Sequence, residues 1–205
     1  MYYLCAMDRK QRWRAGTMIS PVPAVMVSCG SFDGEKNIIT IAWTGTICSE
    51  PAMCYISVRK ERHSYNMIKE SGEFVINLTT EALARATDWC GVRSGKDFDK
   101  FAYCGLTAEK CDHVAAPAIA ESPVNIECRV KQIIELGSHD MFIAEVLGVM
   151  VDQSLLDPQS GKLDLSRAKL LGYAHGEYYA LGDKLGTFGW TVKGSTLKKE
   201  KRVKK

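Results

Sequence analysis

The chain has 205 residues, of which 46% are hydrophobic and 25% charged, a composition typical of a globular protein with a substantial core. Its formal net charge is +3, but residues 198–205 carry six Lys or Arg and one Glu, so the other 197 residues sum to −2. A nucleic-acid binder usually spreads basic charge over its folded domain. We therefore expect one domain over residues 1–197, a solvated basic tail at 198–205, and no nucleic-acid partner.

Hydropathy and cysteine spacing also limit the possible classes of protein. No apolar run is long enough to span a bilayer, and the stretch MYYLCAMDRKQRWRAG lacks the continuous apolar centre of a signal peptide. These features predict a cytoplasmic protein with no membrane partner. The eight cysteines, at positions 5, 29, 48, 54, 90, 104, 111 and 128, include no CxxC pair and no zinc-site spacing. We expect free thiols and no metal site.

The first half of the chain predicts short strands and two helices. Residues 22–29 (VPAVMVSC), 37–43 (NIITIAW) and 53–58 (MCYISV) are apolar or β-branched runs separated by turn residues. A helix is predicted over 64–70, with Ser64 as its N-cap and Gly72 ending it. A strand at 74–77 (FVIN) and a helix at 80–90, capped by Thr80, follow.

The second half carries the clearest pattern. Residues 123–131 alternate strictly between apolar and polar side chains, which predicts a half-buried antiparallel strand. The turn Gly137-Ser138-His139-Asp140 then connects it to a partner strand over 141–151. Many short strands, hairpin turns and few short helices favour a small β-barrel.

The stretch SVRKERHSYNM, residues 57–67, concentrates cationic groups where a strand gives way to a helix. A helix start has unpaired backbone N–H groups and a partial positive charge. Together with Arg59 and Ser64 it offers guanidinium, hydroxyl and amide donors to a phosphate. Lys60, Arg62 and His63 would add longer-range attraction. The alternative is an ordinary solvated loop before a helix.

Two further stretches are compatible with a flat, anionic ligand. Residues 37–46 (NIITIAWTGT) end in small and hydroxylic residues, and Thr40, Thr44 and Gly45 would let a heterocycle approach the backbone. Residues 94–101 (SGKDFDKF) form a charged loop that presents Lys100 beside Phe101. The alternatives are a plain strand with a core Trp43, and a solvated loop anchored by Phe101.

Taken in order, NIITIAWTG, SVRKERHSYNMI, FVINLTT, SGKDFDKF, SPVNIECRV and GSHDMFIAEV closely resemble the flavin reductase-like, FMN-binding split-barrel family. Within that family the sequence is most similar to the flavoredoxins. The resemblance extends from about residue 21 to about residue 190. It implies a mainly β, six-stranded antiparallel Greek-key split barrel that binds FMN, as a homodimer with the flavin near the subunit interface.

The resemblance also implies which positions hold the cofactor. The backbone around 40–45 would meet the isoalloxazine ring, and residues 77–79 would line the ribityl chain and ring. Arg59, His63 and Ser64 would hold the phosphate. Ser94, Lys100 and Phe101 would close over the cofactor. The cofactor-binding positions are Asn37, Thr40, Ala42, Trp43, Thr44, Gly45, Arg59, His63, Ser64, Asn77, Leu78, Thr79, Ser94, Lys100 and Phe101.

His139 is the one candidate catalytic residue. The resemblance places it near the open side of the flavin, where it could orient a substrate. The alternative is a surface pair with Asp140.

Three functions remain open. Flavin itself carries hydride and one-electron chemistry, so the chain could be a flavin reductase that takes hydride from NAD(P)H. It could instead be a flavoredoxin-like carrier serving protein partners without nicotinamide. A third interpretation is a binding module whose basic tail grips an acidic surface. No GxGxxG segment lies between a strand and a helix, so a nicotinamide donor would have to stack directly on bound FMN.

Overall fold

The computed structural model describes residues 10–192, so the predicted basic tail lies outside the described residues. The strands are β1 (Val25–Gly30), β2 (Lys36–Ile41), β3 (Thr44–Ser49), β4 (Ala52–Val58), β5 (Glu73–Asn77), β6 (Ala108–Glu109), β7 (Ala118–Ile119), β8 (Val124–Glu135), β9 (Asp140–Val151), β10 (Leu171–Ala174) and β11 (Glu177–Ala180). The helices are α1 (His63–Ser71), α2 (Ala84–Val92) and α3 (Lys100–Cys104), with single 3-10 turns at Glu81–Leu83, Gln153–Leu155 and Leu165–Ala168.

One large sheet organises the described residues. Its seven strands run in the order β2-β1-β5-β8-β9-β4-β3, and every neighbouring pair is antiparallel. Two small two-stranded ribbons, β10-β11 and β6-β7, accompany it. The prediction of a mainly β, antiparallel fold is confirmed. The sheet has seven strands rather than six, because the chain turns after Trp43 and returns as β3 along β4.

The apolar runs of β1 and β2 are explained by burial on both faces. Val25, Val27 and Ile39 point into the main core between the curved strands. Met26 and Ile38 point the other way, into a second core beneath α2 and α3. A strand covered on both sides needs apolar residues at nearly every position, which explains the absence of alternation in VMVSC and NIITI.

Strand β8 departs from the predicted half-burial. Its polar face is covered in part by the segment between α3 and β8, so Asn125 and Glu127 are both buried. The Asn125 amide donates to Asn77 Oδ1 at 2.8 Å, and Glu127 Oε2 accepts from the backbone N–H of His113 at 2.6 Å. Alternation alone could not show this cover, because it comes from a distant loop.

Two predicted local details are wrong. Helix α1 begins at His63 and its N-cap is Arg62, so Ser64 lies inside the helix rather than at its cap. Lys100 and Phe101 do not stand on an open loop; they open α3, which Asp99 caps through a hydrogen bond to the N–H of Ala102 at 3.1 Å. The predicted cap Thr80 does accept from the N–H of Leu83, at the start of a 3-10 turn that precedes α2.

Within residues 10–192, none of the helices combines the length and apolar character that a membrane span requires.

Candidate functional site

A cationic cavity of about 220 Å³ lies where β2, α1, α2 and α3 meet. We call it the anion cradle. Four nitrogen cations or potential cations line it, with one carboxylate, that of Glu61. Its lining residues are Asn37, Ile39, Glu61, Arg62, His63, Ser64, Cys90, Arg93, Ser94, Gly95 and Lys100.

The first turn of α1 faces the anion cradle. The N-cap residue Arg62 makes no side-chain capping hydrogen bond, and the first turn of the helix contains no acidic residue. The N-terminal amides of a helix are unpaired within it and carry a partial positive charge. An anion in the cradle would therefore supply the cap that the side chain of Arg62 does not.

Lys100 is buried at the floor of the cradle, with 4% of its surface exposed. Its Nζ donates to the backbone carbonyls of Ile38 and Cys90, each at 2.7 Å. An ammonium group has three N–H donors, and within residues 10–192 no carboxylate forms an ion pair with it. Burial lowers the pKa of Lys100. A buried cation with a spare donor and no counter-charge fits an anionic ligand.

Asn37 and Ser64 join β2 to α1 behind the cradle. Both are buried, and Asn37 Nδ2 donates to Ser64 Oγ at 2.8 Å. The loop after α2 packs closely on this pair, since a Cβ at Gly95 would collide with the side-chain amide of Asn37. Glycine is therefore required at this position if the loop with Ser94 is to close one wall of the cradle.

A second cavity, of about 340 Å³, adjoins the cradle and shares Ile39 and Arg62 with it. We call it the ring cleft. It follows the end of β2, the end of β4, the β8–β9 turn and β10. Its lining residues are Ile39, Thr40, Ile41, Ala42, Trp43, Ser57, Val58, Arg59, Arg62, His139 and Tyr173.

Trp43 and His139 form one wall of the ring cleft, with ring centroids 4.5 Å apart. Trp43 is 41% exposed, so it is not the core residue of the alternative interpretation. Burial lowers the pKa of His139, and the nearby Arg59 lowers it further. The imidazole is therefore held in its neutral form at neutral pH.

His139 does not pair with Asp140. Asp140 is fully buried and its Oδ2 accepts from the Tyr65 hydroxyl at 2.6 Å. The histidine ring instead lies 2.9 Å, through Nδ1, from the hydroxyl of Ser138. The alternative of a surface His–Asp pair is wrong, because the Asp140 carboxylate is buried against Tyr65 whereas His139 lines the ring cleft.

Arg59 and Arg62 line different parts of the site. Arg59 lines the ring cleft and lies 3.4 Å from Glu61, whereas Arg62 lines both cavities. His63 does line the anion cradle, although its Nε2 is 3.2 Å from Glu35 Oε1. The family resemblance assigned the phosphate to Arg59, but Arg62 rather than Arg59 lines the anion cradle. A phosphate contact by Arg59 stays a prediction.

Several predicted positions are used within the fold. Thr44 donates to the Tyr55 carbonyl at 2.6 Å, and Gly45 leaves room for the Tyr55 ring, 3.2 Å from where its Cβ would be. Phe101 is packed in the second core. These three residues, together with Asn77, Leu78 and Thr79, line neither the anion cradle nor the ring cleft, and their contact with a ligand stays a prediction.

The predicted segment 77–79 contributes structural hydrogen bonds. Asn77 donates to the Met26 carbonyl at 3.0 Å and accepts from the N–H of Ile119 at the same distance. The Thr79 hydroxyl donates to the carbonyl of Ala24, and Leu78 packs against two apolar clusters. All three tie β5 to its neighbours.

Sequence reasoning missed several of the lining residues. Among them are Ser57, Arg62 as a direct contributor, Arg93, Gly95 and Tyr173. Arg93 follows α2 directly and belongs to the same charged stretch as Ser94, so extending that motif by one residue would have found it. Tyr173 is about 130 residues from Trp43 in sequence, and no local signal connects them. Among residues 10–192, no group of three or more His, Cys, Asp or Glu side chains could hold a metal ion.

The fold and the two adjoining cavities define a small antiparallel β-barrel with a bipartite cleft, cationic at one end and aromatic at the other. Residues 17–182 match the family described as flavin reductase like domain. The chain belongs to this family, and its predicted resemblance is confirmed.

Solved structures share the fold. The flavoredoxin of Desulfovibrio vulgaris (Miyazaki F) is 36% identical with a TM-score of 0.81, over 87% of this chain and 96% of that one. A flavoredoxin from Methanosarcina acetivorans is 24% identical with a TM-score of 0.81, over 89% and 98%. A flavin reductase with a split barrel domain from Shewanella frigidimarina is 22% identical with a TM-score of 0.73, over 82% and 85%. The predicted split barrel is confirmed.

Proposed function

We propose that the chain is an FMN-dependent oxidoreductase, with the phosphate in the anion cradle and the isoalloxazine in the ring cleft. One observation carries the proposal: Lys100 is a buried cation without a carboxylate partner in the described part of the chain, beside a helix start without a side-chain cap. A phosphate would satisfy both. Membership of the flavin reductase-like family and the adjoining ring cleft, which is lined by Trp43, support a flavin ring as the rest of the ligand.

The side chains of the cradle would hold the phosphate and ribityl chain. Arg62 and Arg93 offer guanidinium donors at its rim, the N-terminal amides of α1 offer backbone donors, and Lys100 offers its third N–H from below. Bound FMN would supply hydride or one-electron transfer. The protein contributes position and charge, and no general acid–base pair is required.

At the ring end, Trp43 and His139 would shape the open face above the isoalloxazine. A neutral imidazole can donate or accept a hydrogen bond toward a substrate. Arg59 and Arg62 place positive charge beside the same cleft, which would favour the anionic form of a reduced ring and would attract an anionic donor. His139 is thus our candidate for a substrate-orienting residue.

The electron donor separates two versions of the proposal. In the first, NAD(P)H stacks on the flavin in the ring cleft and passes hydride to it. In the second, the chain is a flavoredoxin-like carrier that exchanges electrons with a protein partner; the 36% identity to the flavoredoxin of Desulfovibrio vulgaris favours this version.

The deciding measurement is the anaerobic visible spectrum of FMN-loaded, desalted protein before and after NADH, and then NADPH, is added. Rapid bleaching on addition of either nucleotide would establish a nicotinamide-dependent reductase. A spectrum that stays oxidised with both, but bleaches with dithionite, would establish the carrier version. Loss of all flavin on desalting, with no binding in titration, would contradict the proposal as a whole.

Placement of the phosphate is tested by Arg62→Ala. We expect FMN affinity to fall by about 10- to 100-fold, the scale of one hydrogen bond between charged groups of about 1.5–3 kcal/mol. Riboflavin affinity should fall much less, because riboflavin lacks the phosphate and Arg62 would act on it only through the ring cleft. The matched control is Arg59→Ala, which should show no loss specific to FMN. If Arg59→Ala instead reproduces the phosphate-specific loss, Arg59 rather than Arg62 holds the phosphate.

A further inference from the structure

Two cysteines meet behind the anion cradle. Cys90 on α2 and Cys104, the last residue of α3, have their sulfur atoms 3.8 Å apart. Cys90 is buried, with 1% of its surface exposed, while Cys104 is partly exposed. Cys104 also lines a surface cavity with Arg85, Ala86, Trp89 and Tyr103. A small reagent can therefore reach one sulfur of the pair from solvent.

The same pair holds Lys100 in place. Cys90 lines the anion cradle, and its carbonyl is one of the two acceptors of Lys100 Nζ, at 2.7 Å. Lys100 lies on α3, four positions before Cys104. A bond between the two sulfurs would thus connect the element that carries Lys100 to the element that orients it.

We propose that Cys90 and Cys104 form a redox-sensitive dithiol whose oxidation to a disulfide weakens phosphate binding in the cradle. The inference rests on the proposed function, because it concerns the same cradle. A disulfide requires the sulfurs to approach from 3.8 Å to about 2.0 Å. That approach shifts the end of α2 against α3 and displaces the Cys90 carbonyl from Lys100.

Hydrogen peroxide is the oxidant in this step, and it can reach Cys104 through the surface cavity that this residue lines. The Cys104 sulfur attacks the peroxide, the O–O bond breaks, one water leaves and a sulfenic acid forms. Cys90 then attacks that sulfur, a second water leaves and the S–S bond forms. The two thiols lose two protons and two electrons, and hydrogen peroxide gains them to become two waters.

Both thiols of the pair have raised pKa values, which slows their reaction with oxidants. Burial raises the pKa of Cys90 to about 12 and also raises the pKa of Cys104, while the Lys100 cation opposes both shifts. Because the thiolate is the reactive form, the pair stays reduced until oxidant accumulates.

The chain contains a matched control pair. Cys54 on β4 and Cys128 on β8 have their sulfurs 3.6 Å apart, but both are buried in the main core, with 7% and 0% exposed. This buried pair tests whether proximity of two sulfur atoms is by itself enough for a disulfide to form under peroxide. All the cysteines in the described residues are free thiols, so both pairs begin reduced.

The experiment treats the full-length protein with hydrogen peroxide and maps disulfides by peptide mass spectrometry, while FMN and inorganic phosphate affinities are measured in parallel. We expect a Cys90–Cys104 cross-link, intact Cys54 and Cys128 thiols, and affinity for FMN about tenfold lower, the scale of one lost hydrogen bond to a charged group. Dithiothreitol should restore the affinity. Cys104→Ser, and Cys104→Ala as a second variant, should bind FMN normally and resist peroxide.

Two results would overturn the inference. One is the absence of the cross-link at peroxide concentrations that oxidise Cys104. The other is a cross-link that leaves ligand affinity unchanged. If the reduced protein binds no FMN, the proposed function fails; the cross-link and the phosphate affinity then still decide this inference on their own.

Discussion

At the scale of single residues, Tyr65, Asp140 and Lys60 fasten the cationic segment to the barrel. The Tyr65 hydroxyl on α1 donates to Asp140 at the start of β9. Lys60, in the loop between β4 and α1, lies 3.4 Å from the other Asp140 oxygen. The loop that carries Arg59 and Arg62 is thereby joined to the β8–β9 turn that carries His139. The network thus connects two segments that line the ring cleft.

We predict that Tyr65→Phe destabilises the protein by about 1–3 kcal/mol, because the buried carboxylate loses its donor. The unfolding free energy in urea, measured at neutral pH, checks this. The control is Tyr55→Phe, whose phenol is absent from the network. A loss in Tyr55→Phe equal to that in Tyr65→Phe would contradict the assignment.

The hydrogen bond between Tyr65 and Asp140 also predicts that the stability of the protein depends on pH. The Tyr65 hydroxyl holds the pKa of Asp140 below its usual range, and Asp140 raises the pKa of Tyr65 to about 12. The depressed carboxyl pKa gives stability that is lost as pH falls through the folded-state value. The raised phenol pKa gives stability that is present below about pH 10 and is lost as pH rises towards about 12.

The stability difference between wild type and Tyr65→Phe should therefore be largest on a plateau between those limits and should shrink at both ends. Urea unfolding across the pH range measures it. A difference that stays constant into strong acid would show that the hydrogen bond does not depend on an ionised Asp140.

At the scale of elements, the short helix α3 depends on its cap. It contains five residues and begins with Lys100, and the Asp99 side chain accepts from the N–H of Ala102. Few intrahelical hydrogen bonds form in so short a helix, so the cap makes up a large share of its stabilisation. The position of Lys100 in the anion cradle follows from the cap.

We predict that Asp99→Ala lowers the unfolding free energy by about 0.5–2 kcal/mol and also lowers FMN affinity. Asp164→Ala is the matched control, since Asp164 caps a 3-10 turn through the N–H of Ser166 and lines neither cavity. It should cost similar stability and leave FMN affinity intact. Equal FMN affinity in the two variants would contradict the prediction and would show that the Asp99 cap does not influence the anion cradle.

At the scale of the whole molecule, apolar side chains remain exposed on both terminal segments. Ile19 is 88% exposed before β1, and Leu185 and Phe188 are 91% and 105% exposed after β11. An exposed apolar patch marks a protein interface only where its residues are contiguous, so these residues define a surface to be tested. The homodimer that the family resemblance implies stays a prediction, and this surface is where we test it.

We predict that the protein sediments as a dimer and that Ile19→Ser combined with Phe188→Ser shifts it towards monomer, because both lose apolar contact area. Sedimentation velocity over a concentration series measures this. Leu163→Ser is the control, with an apolar residue that is 40% exposed in a loop. A wild-type monomer at all concentrations would contradict the expected dimer.

Local patterns in the sequence predicted most of the elements and the family. The strands between residues 22 and 151 and the helix after the cationic segment follow from patterns within a few residues, since periodicity, turn residues and spacing are local properties. The ordered motifs were sufficient to identify the family, because motif composition and order can be read from the sequence without knowing which residues are in contact.

Only the tertiary structure decided which residues share a cavity. Arg62 rather than Arg59 faces the anion cradle, Lys100 reaches it from a capped helix, and Tyr173 joins the ring cleft from the far end of the chain. Asn77, predicted at the ligand, bonds neighbouring strands together, and its contact with a ligand stays a prediction. Such assignments depend on strand register and on which distant segment covers each face, and these are set by packing between residues far apart in sequence.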